Sequence, residues 1–229
     1  MLKYIVNILY YTRILIGETI MIKVERVSVM NMENAIRGAR NPLNSWARMD
    51  SYYDEKGDFV LGENDLALAT KLARAGSDHR KYLRQIFVTM DITAPLYWWK
   101  EFDTYKVGTV ANSTSTMHKI QAKEFSREDF SCEKLTGEAA DCMDAVIACL
   151  ERERLKYLET KDKANWINMI QLLPSSVNQM RTVTMNYEVL INIYYARRTH
   201  KLSEWHTLCE EILKLPYADK LILVKEESK

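Results

Sequence analysis

The sequence predicts a single α+β domain in which helix dominates, and three observations carry that reading. Ile86, Val88, Met90 and Ile92 alternate with Phe87, Thr89 and Asp91, and 180–186 alternates likewise, the period of a half-buried strand. Residues 137–160 and 187–198 instead repeat their apolar positions at helical spacing. Seven Gly and four Pro in 229 residues favour long regular elements over linkers.

Taken in order, 22–29 reads as a short strand and 32–40 as a helix with Asn31 at its N-cap. Pro42, Gly57, Gly62 and many polar residues make 41–62 an irregular connection. A helix over 64–75 places Leu66, Ala69, Leu72 and Ala73 on one stripe and stops at Gly76, a suitable residue just past a helix end. The strand over 85–92 leads to Ala94-Pro95, with Pro95 in the first turn of a helix reaching about Thr104. The longest helix, 137–160, should bury Ala140, Met143, Ile147, Leu150 and Leu158, and a second helix over 164–173 ends near Pro174. A strand over 180–186 and helices over 187–198 and 202–215 complete the chain, the last closed by Pro216.

Composition sets outer bounds. Lys plus Arg (32) and Asp plus Glu (31) nearly cancel, so no global basic field points to nucleic acid. Four Cys form no C-x-x-C pair and have no His at metal spacing, and His79, His118, His200 and His206 are scattered; no metal site is expected. Cys142 and Cys149, two turns apart on one predicted helix, read as small packing residues, and a reducing, cytoplasmic setting follows. Glu151-Arg152-Glu153-Arg154 reads as a solvated helix face. Residues 1–20 are apolar but interrupted by Lys3, Asn7 and Arg13, too short and too polar to span a bilayer. They are expected to be an extension ahead of a natural start at Met21, with 21–229 as the domain; a membrane-surface or partner-binding role is the alternative.

Function is best sought in 91–118. A strand end and Ala94-Pro95 lead into Tyr97, Trp98, Trp99 and Phe102 at helical spacing, then into a loop with Thr109, Ser113, Thr114, Ser115 and Thr116. The aromatics suit either a core stripe or a wall for a flat heterocycle. The hydroxyls suit either local caps or a polar ligand.

This region resembles the signature of flavin-dependent thymidylate synthases, R-H-R-x-x-S-x-N-E-x-S-x-R, which there follows a strand, an Ala-Pro and an aromatic helix. Asn112 and Ser115 fall on the motif's Asn and second Ser, while Ser113 stands at its Glu and Met117 at its final Arg. The R-H-R triplet corresponds to Tyr105-Lys106-Val107 or, shifted by one, to Thr104-Tyr105-Lys106. Downstream, Leu173-Pro174, Asn186, Asn192 and Arg197 keep the family's spacing, with Trp205 resembling an aromatic of the following helix. Ala35-Ile36-Arg37-Gly38-Ala39-Arg40 is similar to its first-helix A-x-R-x-A-R pattern.

The resemblance implies a helix-rich fold around a small, mainly antiparallel sheet, and a homotetramer holding FAD at a subunit junction. It implies reductive methylation of dUMP to dTMP, with NADPH as reductant and methylenetetrahydrofolate as carbon donor. On that basis Arg197 would hold and polarise the uracil as the catalytic residue, and Ser113, Ser115 and Arg198 would bind the nucleotide. Tyr105, Lys106, Asn112, Asn186 and Asn192 would bind the flavin. The chain departs from the family in its missing arginines, including Ile170 at a phosphate-binding Arg position; Lys106, Arg181 and Lys119 are the candidates to compensate. Charged hydrogen bonds contribute about 1.5–3 kcal/mol each, so two further readings stand beside the enzyme: a nucleotide-binding paralogue without catalysis, and a helical interaction protein.

Overall fold

Alternating strands and amphipathic helices fold as their periods dictate in the computed structural model, which describes residues 22–224. The expected extension over 1–20 lies outside the described residues. The chain is a helix-rich α+β domain with a small antiparallel sheet, and within it two compact units are distinguishable.

The larger unit comprises Val24–Thr93, Trp98–Thr114 and 180–224. Its sheet has the order β1-β4-β6-β5, with β1 at Lys23–Met30, β4 at Phe87–Pro95, β5 at Val110–Ser113 and β6 at Asn178–Asn186. Ile86, Val88, Met90, Ile92 and Ala94 are fully buried, and the alternate residues are not, as the alternation requires. Helix α1 (Met32–Ala39) and helix α2 (Glu63–Arg74) pack on the 3-10 segment Arg80–Gln85, as does helix α7 (Tyr187–Arg197). Arg80 secures that last contact by gripping Glu188 through both carboxylate oxygens at 2.9–3.1 Å. Helix α8 (Glu204–Leu213) lies on α7, and the short helix α9 (Ala218–Leu221) on α2.

Several local expectations need correction here. Asn31 occupies the N-cap position of α1, but its side chain makes no cap; it donates to the Gln85 carbonyl (2.9 Å) from a left-handed backbone. The connection 41–62 is not wholly irregular, because Tyr52–Tyr53 (β2) pairs with Phe59–Val60 (β3) as a small antiparallel ribbon. Arg40, the last residue of the A-x-R-x-A-R pattern, is buried and bonded to the buried Asp65 at 2.6 Å. Asp65 also accepts from the Ser51 hydroxyl and from the N–H groups of Asp50 and Ser51. Burial alone would raise its pKa, but these donors outweigh it and hold the carboxyl below its usual value. The strand β4 runs through Pro95, so helix α3 (Leu96–Phe102) starts one residue later and ends sooner than expected.

The smaller unit comprises Ala94–Tyr97 and Ser115–Gln179, with residues 22–23. The first two N–H groups of α3 donate to the carbonyls of Val177 (3.1 Å) and Ser175 (3.0 Å), satisfying donors that a helix start leaves unpaired. A one-turn helix α4 (Thr116–Lys119) follows, and then the long helix α5 (Glu138–Thr160) packs on α6 (Lys163–Leu172). Ile120, Phe130, Met143, Leu150 and Met169 form the centre of this unit.

Leu158, expected inside, is exposed, and Tyr157 packs inward in its place. Tyr157 follows Met143 and Leu150 at seven-residue spacing and so continues their stripe, which Leu158 leaves. Glu153 is buried and accepts from Lys156, Asn165 and Asn168 at 2.8 Å each, so α5 turns this polar anchor toward α6. The charged run is therefore not one solvated face: Glu151 and Arg154 are half-buried partners at 2.6 Å, and only Arg152 is fully solvated. Cys142 is exposed rather than packed.

Glu153 yields a pH prediction. Lys156, Asn168 and Asn165 hold its pKa down to about 2 from an ordinary 4.5. A carboxyl depressed on folding stabilises the native state fully above its unfolded value and loses that contribution as pH falls toward its folded value. The gap in urea midpoint between the native sequence and Glu153→Gln should thus be constant above about pH 5 and shrink between pH 4.5 and 2. A gap that widens with acid refutes the assignment. Among the described residues, no helix is long and apolar enough to cross a membrane.

Candidate functional site

The residues singled out in sequence divide between the units. Ser115 belongs to the smaller one, where it is exposed and caps α4, accepting from the His118 N–H at 3.2 Å. Tyr105, Lys106, Asn112, Ser113, Asn186, Asn192, Arg197 and Arg198 all belong to the larger one.

Arg197 stands in the last turn of α7, where a cation complements the helix dipole. Its Nε donates to the Tyr105 hydroxyl at 2.8 Å, and its Nη1 donates to Glu101 Oε1. The guanidinium lies over the Trp205 ring, 4.8 Å from the centroid, and 5.5 Å from that of Tyr105. Only 16% of its side chain is exposed. Glu101 gathers further partners: Trp205 Nε1 donates to its Oε2 at 2.8 Å, and His200 Nε2 lies 3.1 Å from its Oε1. Burial pushes the Glu101 pKa up, but Trp205, Arg197 and His200 together outweigh it and keep the carboxyl below its usual value.

Glu101 and His200 were not picked out from the sequence. One signal was present: Trp98, Glu101, Phe102 and Tyr105 follow i, i+3, i+4, i+7 spacing, so the carboxylate lies on the aromatic stripe and must find donors there. The stripe itself is core. Trp98, Trp99 and Phe102 are buried, with Trp98 stacked on Phe102 (5.1 Å) and tilted against Trp205 (4.6 Å), and so offer no open wall to a heterocycle.

Asn186 is buried at the start of α7 and caps it, accepting from the Val189 N–H at 3.0 Å. Gly108, with φ of +76°, lets the chain pass against this amide; a Cβ there would stand 2.8 Å from Asn186 Nδ2. Asn192 and Arg198 are exposed on and just after α7, Arg198 with its guanidinium 5.4 Å from the Tyr195 ring centroid. Lys106 is exposed on the turn between α3 and β5.

The expected hydroxyl-rich loop is strand over Val110–Ser113: this β5 forms the outer edge of the sheet, antiparallel to β6, with Asn112 opposite Thr182 and Ser113 opposite Arg181. Opposed residues share a face, which puts Asn112 on the side of Thr182 and Thr184. That face is polar: Thr182 donates to Asp91 at 2.6 Å, and Thr184 pairs with Thr89 at 2.8 Å. Ser113 shares the opposite face with Arg181, which is bonded to Asp103 (2.8 Å) and lies 4.3 Å over the Trp99 ring. Arg181 is thus already committed, as is Ile170, half-buried against the apolar centre of the smaller unit.

The donor set fits a flavin nucleotide in kind. Lys106, Asn112 and Asn192 present an exposed cation and two exposed amides on one unit, the chemistry that a phosphate and a flavin ring edge accept. Tyr105 and Asn186 are spent on Arg197 and on the helix cap. Among the described residues, no three His, Cys, Asp or Glu side chains gather as metal ligands.

No family model matches the chain, nor does any curated protein. Solved structures do. A flavin-dependent thymidylate synthase, ThyX, from Helicobacter pylori, complexed with FAD and dUMP, is 16% identical, with a TM-score of 0.63 over 86% of this chain and 97% of that one. A second structure of ThyX from that organism, also with FAD and dUMP, is 15% identical, with a TM-score of 0.65 over 91% and 100%. The UMP/dUMP methylase PolB from Streptomyces cacaoi, bound with 5-Br dUMP, is 15% identical, with a TM-score of 0.54 over 89% and 92%. At these identities the likeness is one of fold, and it spans nearly the whole of each chain.

Proposed function

We propose that this chain is a divergent flavin-dependent thymidylate synthase that methylates dUMP to dTMP, with FAD, NADPH and methylenetetrahydrofolate, as a cytoplasmic homotetramer. The observation that carries the reading is the Arg197 assembly. Tyr105 and Glu101, 92 and 96 residues away in sequence, close on the guanidinium that the family resemblance assigns to the uracil ring. The fold likeness to proteins that bind FAD and dUMP supports it. So does the exposure of Lys106, Asn112, Ser113, Ser115, Asn192 and Arg198, because a ligand at a subunit junction needs outward-facing groups on the single chain.

In this reading Arg197 donates to the uracil edge and stabilises the negative charge that develops there, a donor fixed in advance where charge appears. Ser113, Ser115 and Arg198 hold the nucleotide, while Lys106, Asn112 and Asn192 hold FAD with Tyr105 and Asn186 shaping the surroundings. FAD, when bound, supplies the two-electron carrier between NADPH and the nucleotide.

A second reading, nucleotide binding without methylation, draws on the same assembly. Glu101 offsets the charge of Arg197, and Ser113, Met117 and Ile170 replace charged residues of the family pattern. Growth of a thymidine-requiring bacterial strain on this gene, together with a flavin spectrum in the purified protein, supports the enzyme. A colourless protein whose melting temperature rises with dUMP but that rescues no growth supports the second reading. A protein indifferent to dUMP and flavin alike overturns both and leaves the helical interaction protein.

A further inference from the structure

We infer that Glu101 is a positioning residue for Arg197, an inference that rests on the reading of Arg197 as the uracil-binding group. The guanidinium is held at Nε by Tyr105, at Nη1 by Glu101, and on one face by Trp205. Glu101 contributes to two of these three restraints. Its Oε1 takes Nη1, while its Oε2 takes the indole N–H of Trp205 at 2.8 Å and so fixes the ring on which the guanidinium rests. Tyr105 follows on the same chain turn, its N–H bonded to the Phe102 carbonyl at 3.0 Å, so the third restraint moves with the helix that carries Glu101.

His200 completes the carboxylate's surroundings. The Leu202 N–H donates to His200 Nδ1 at 3.1 Å, which orients the ring so that its Nε2 stands 3.1 Å from Glu101 Oε1. Glu101 therefore accepts from Arg197 and Trp205, with His200 Nε2 against its Oε1, and neither of its oxygens depends on a ligand. Nη2 is the one guanidinium nitrogen with no hydrogen bond among the described residues. This arrangement leaves the Nη2 edge, in a set direction, for an acceptor on the bound ring. A donor so fixed does not reorganise during reaction, and displacement of such a group by about 1 Å costs on the order of 100-fold in rate.

The test uses the full chain with Glu101→Gln, which keeps an acceptor for Trp205 but removes the charge that holds Arg197. The first readout is exchange of the Arg197 Nε–H with solvent, followed by nitrogen-15 NMR and assigned by its loss in Arg197→Lys. Exchange should accelerate about 10-fold or more in Glu101→Gln. The second readout is steady-state methylation: turnover should fall roughly 10- to 100-fold while KM for dUMP changes less than about threefold. Glu101→Asp, which keeps the charge on a shorter arm, should recover part of the turnover and carries the test if Glu101→Gln does not fold. Unchanged exchange overturns the inference whatever the protein does with dUMP. Accelerated exchange with both kinetic constants unchanged also overturns it. A native protein that never methylates dUMP defeats the proposed function, and the exchange measurement then decides the role of Glu101 alone.

Discussion

Arg197→Ala should abolish growth rescue and lower dTMP formation by the purified protein by about 10²–10³-fold, the scale of losing one preorganised donor to a developing anion. The substitution removes the Nη2 donor, the cation over Trp205 and the partner of Glu101 at once. Stability should change less than activity, because 28% of the Glu101 side chain is exposed, Trp205 remains its donor and His200 Nε2 remains 3.1 Å from its Oε1. Far-UV circular dichroism and a thermal melt on the same preparation separate the two effects. Retention of more than a tenth of the native activity in a folded Arg197→Ala protein would remove Arg197 from the chemistry, and with it the strongest tie between this fold and a pyrimidine ring.

The largest effect on stability is expected at Asp65. Neither partner of the Arg40–Asp65 pair is accessible, with side-chain exposures of 4% and 0%. Asp65→Ala leaves the Arg40 cation buried without its counter-ion and strips the N–H groups of Asp50 and Ser51 of their acceptor. Breaking one side of a buried pair costs about 3–5 kcal/mol, a large part of the stability of a typical domain. Replacing both members together, as Arg40→Met with Asp65→Leu, should recover only part of that loss: it removes the unpaired buried cation, but the Asp50 and Ser51 N–H groups and the Ser51 hydroxyl still lack their acceptor. Urea unfolding of the single and double variants decides the matter. A single variant within about 1 kcal/mol of the native protein would show that the pair is not buried in solution.

The strands and helices were legible because periodicity is local: the alternation through Ile86, Val88, Met90 and Ile92 leaves those residues buried, and Gly76 follows the end of α2. The fold likeness was legible too, from the order of Ala94-Pro95, Asn112, Leu173-Pro174, Asn186 and Arg197 along the chain. Polar burial was not. Nothing local distinguishes Glu153, which anchors α5 to α6, from the solvated Arg152 beside it, because the amides of Asn165 and Asn168 come from another helix. Leu158 is different: Met143, Leu150 and Tyr157 are seven residues apart, so the helical period alone puts Tyr157, not Leu158, on the buried stripe.

The sequence by itself determined the longer strands and helices, though not the β2–β3 ribbon or strand β5, where Pro and Gly end them, and that no dominant charge field surrounds the chain. Backbone sterics and side-chain period act within a few residues and need no partner from elsewhere. Only the tertiary structure decided that Glu101 stands between Arg197, Trp205 and His200, and that Arg181 is spent on Asp103 and Trp99. A carboxylate or guanidinium takes its role from whichever opposite charge folding brings to it, and those partners lie some 80 to 100 residues away along the chain.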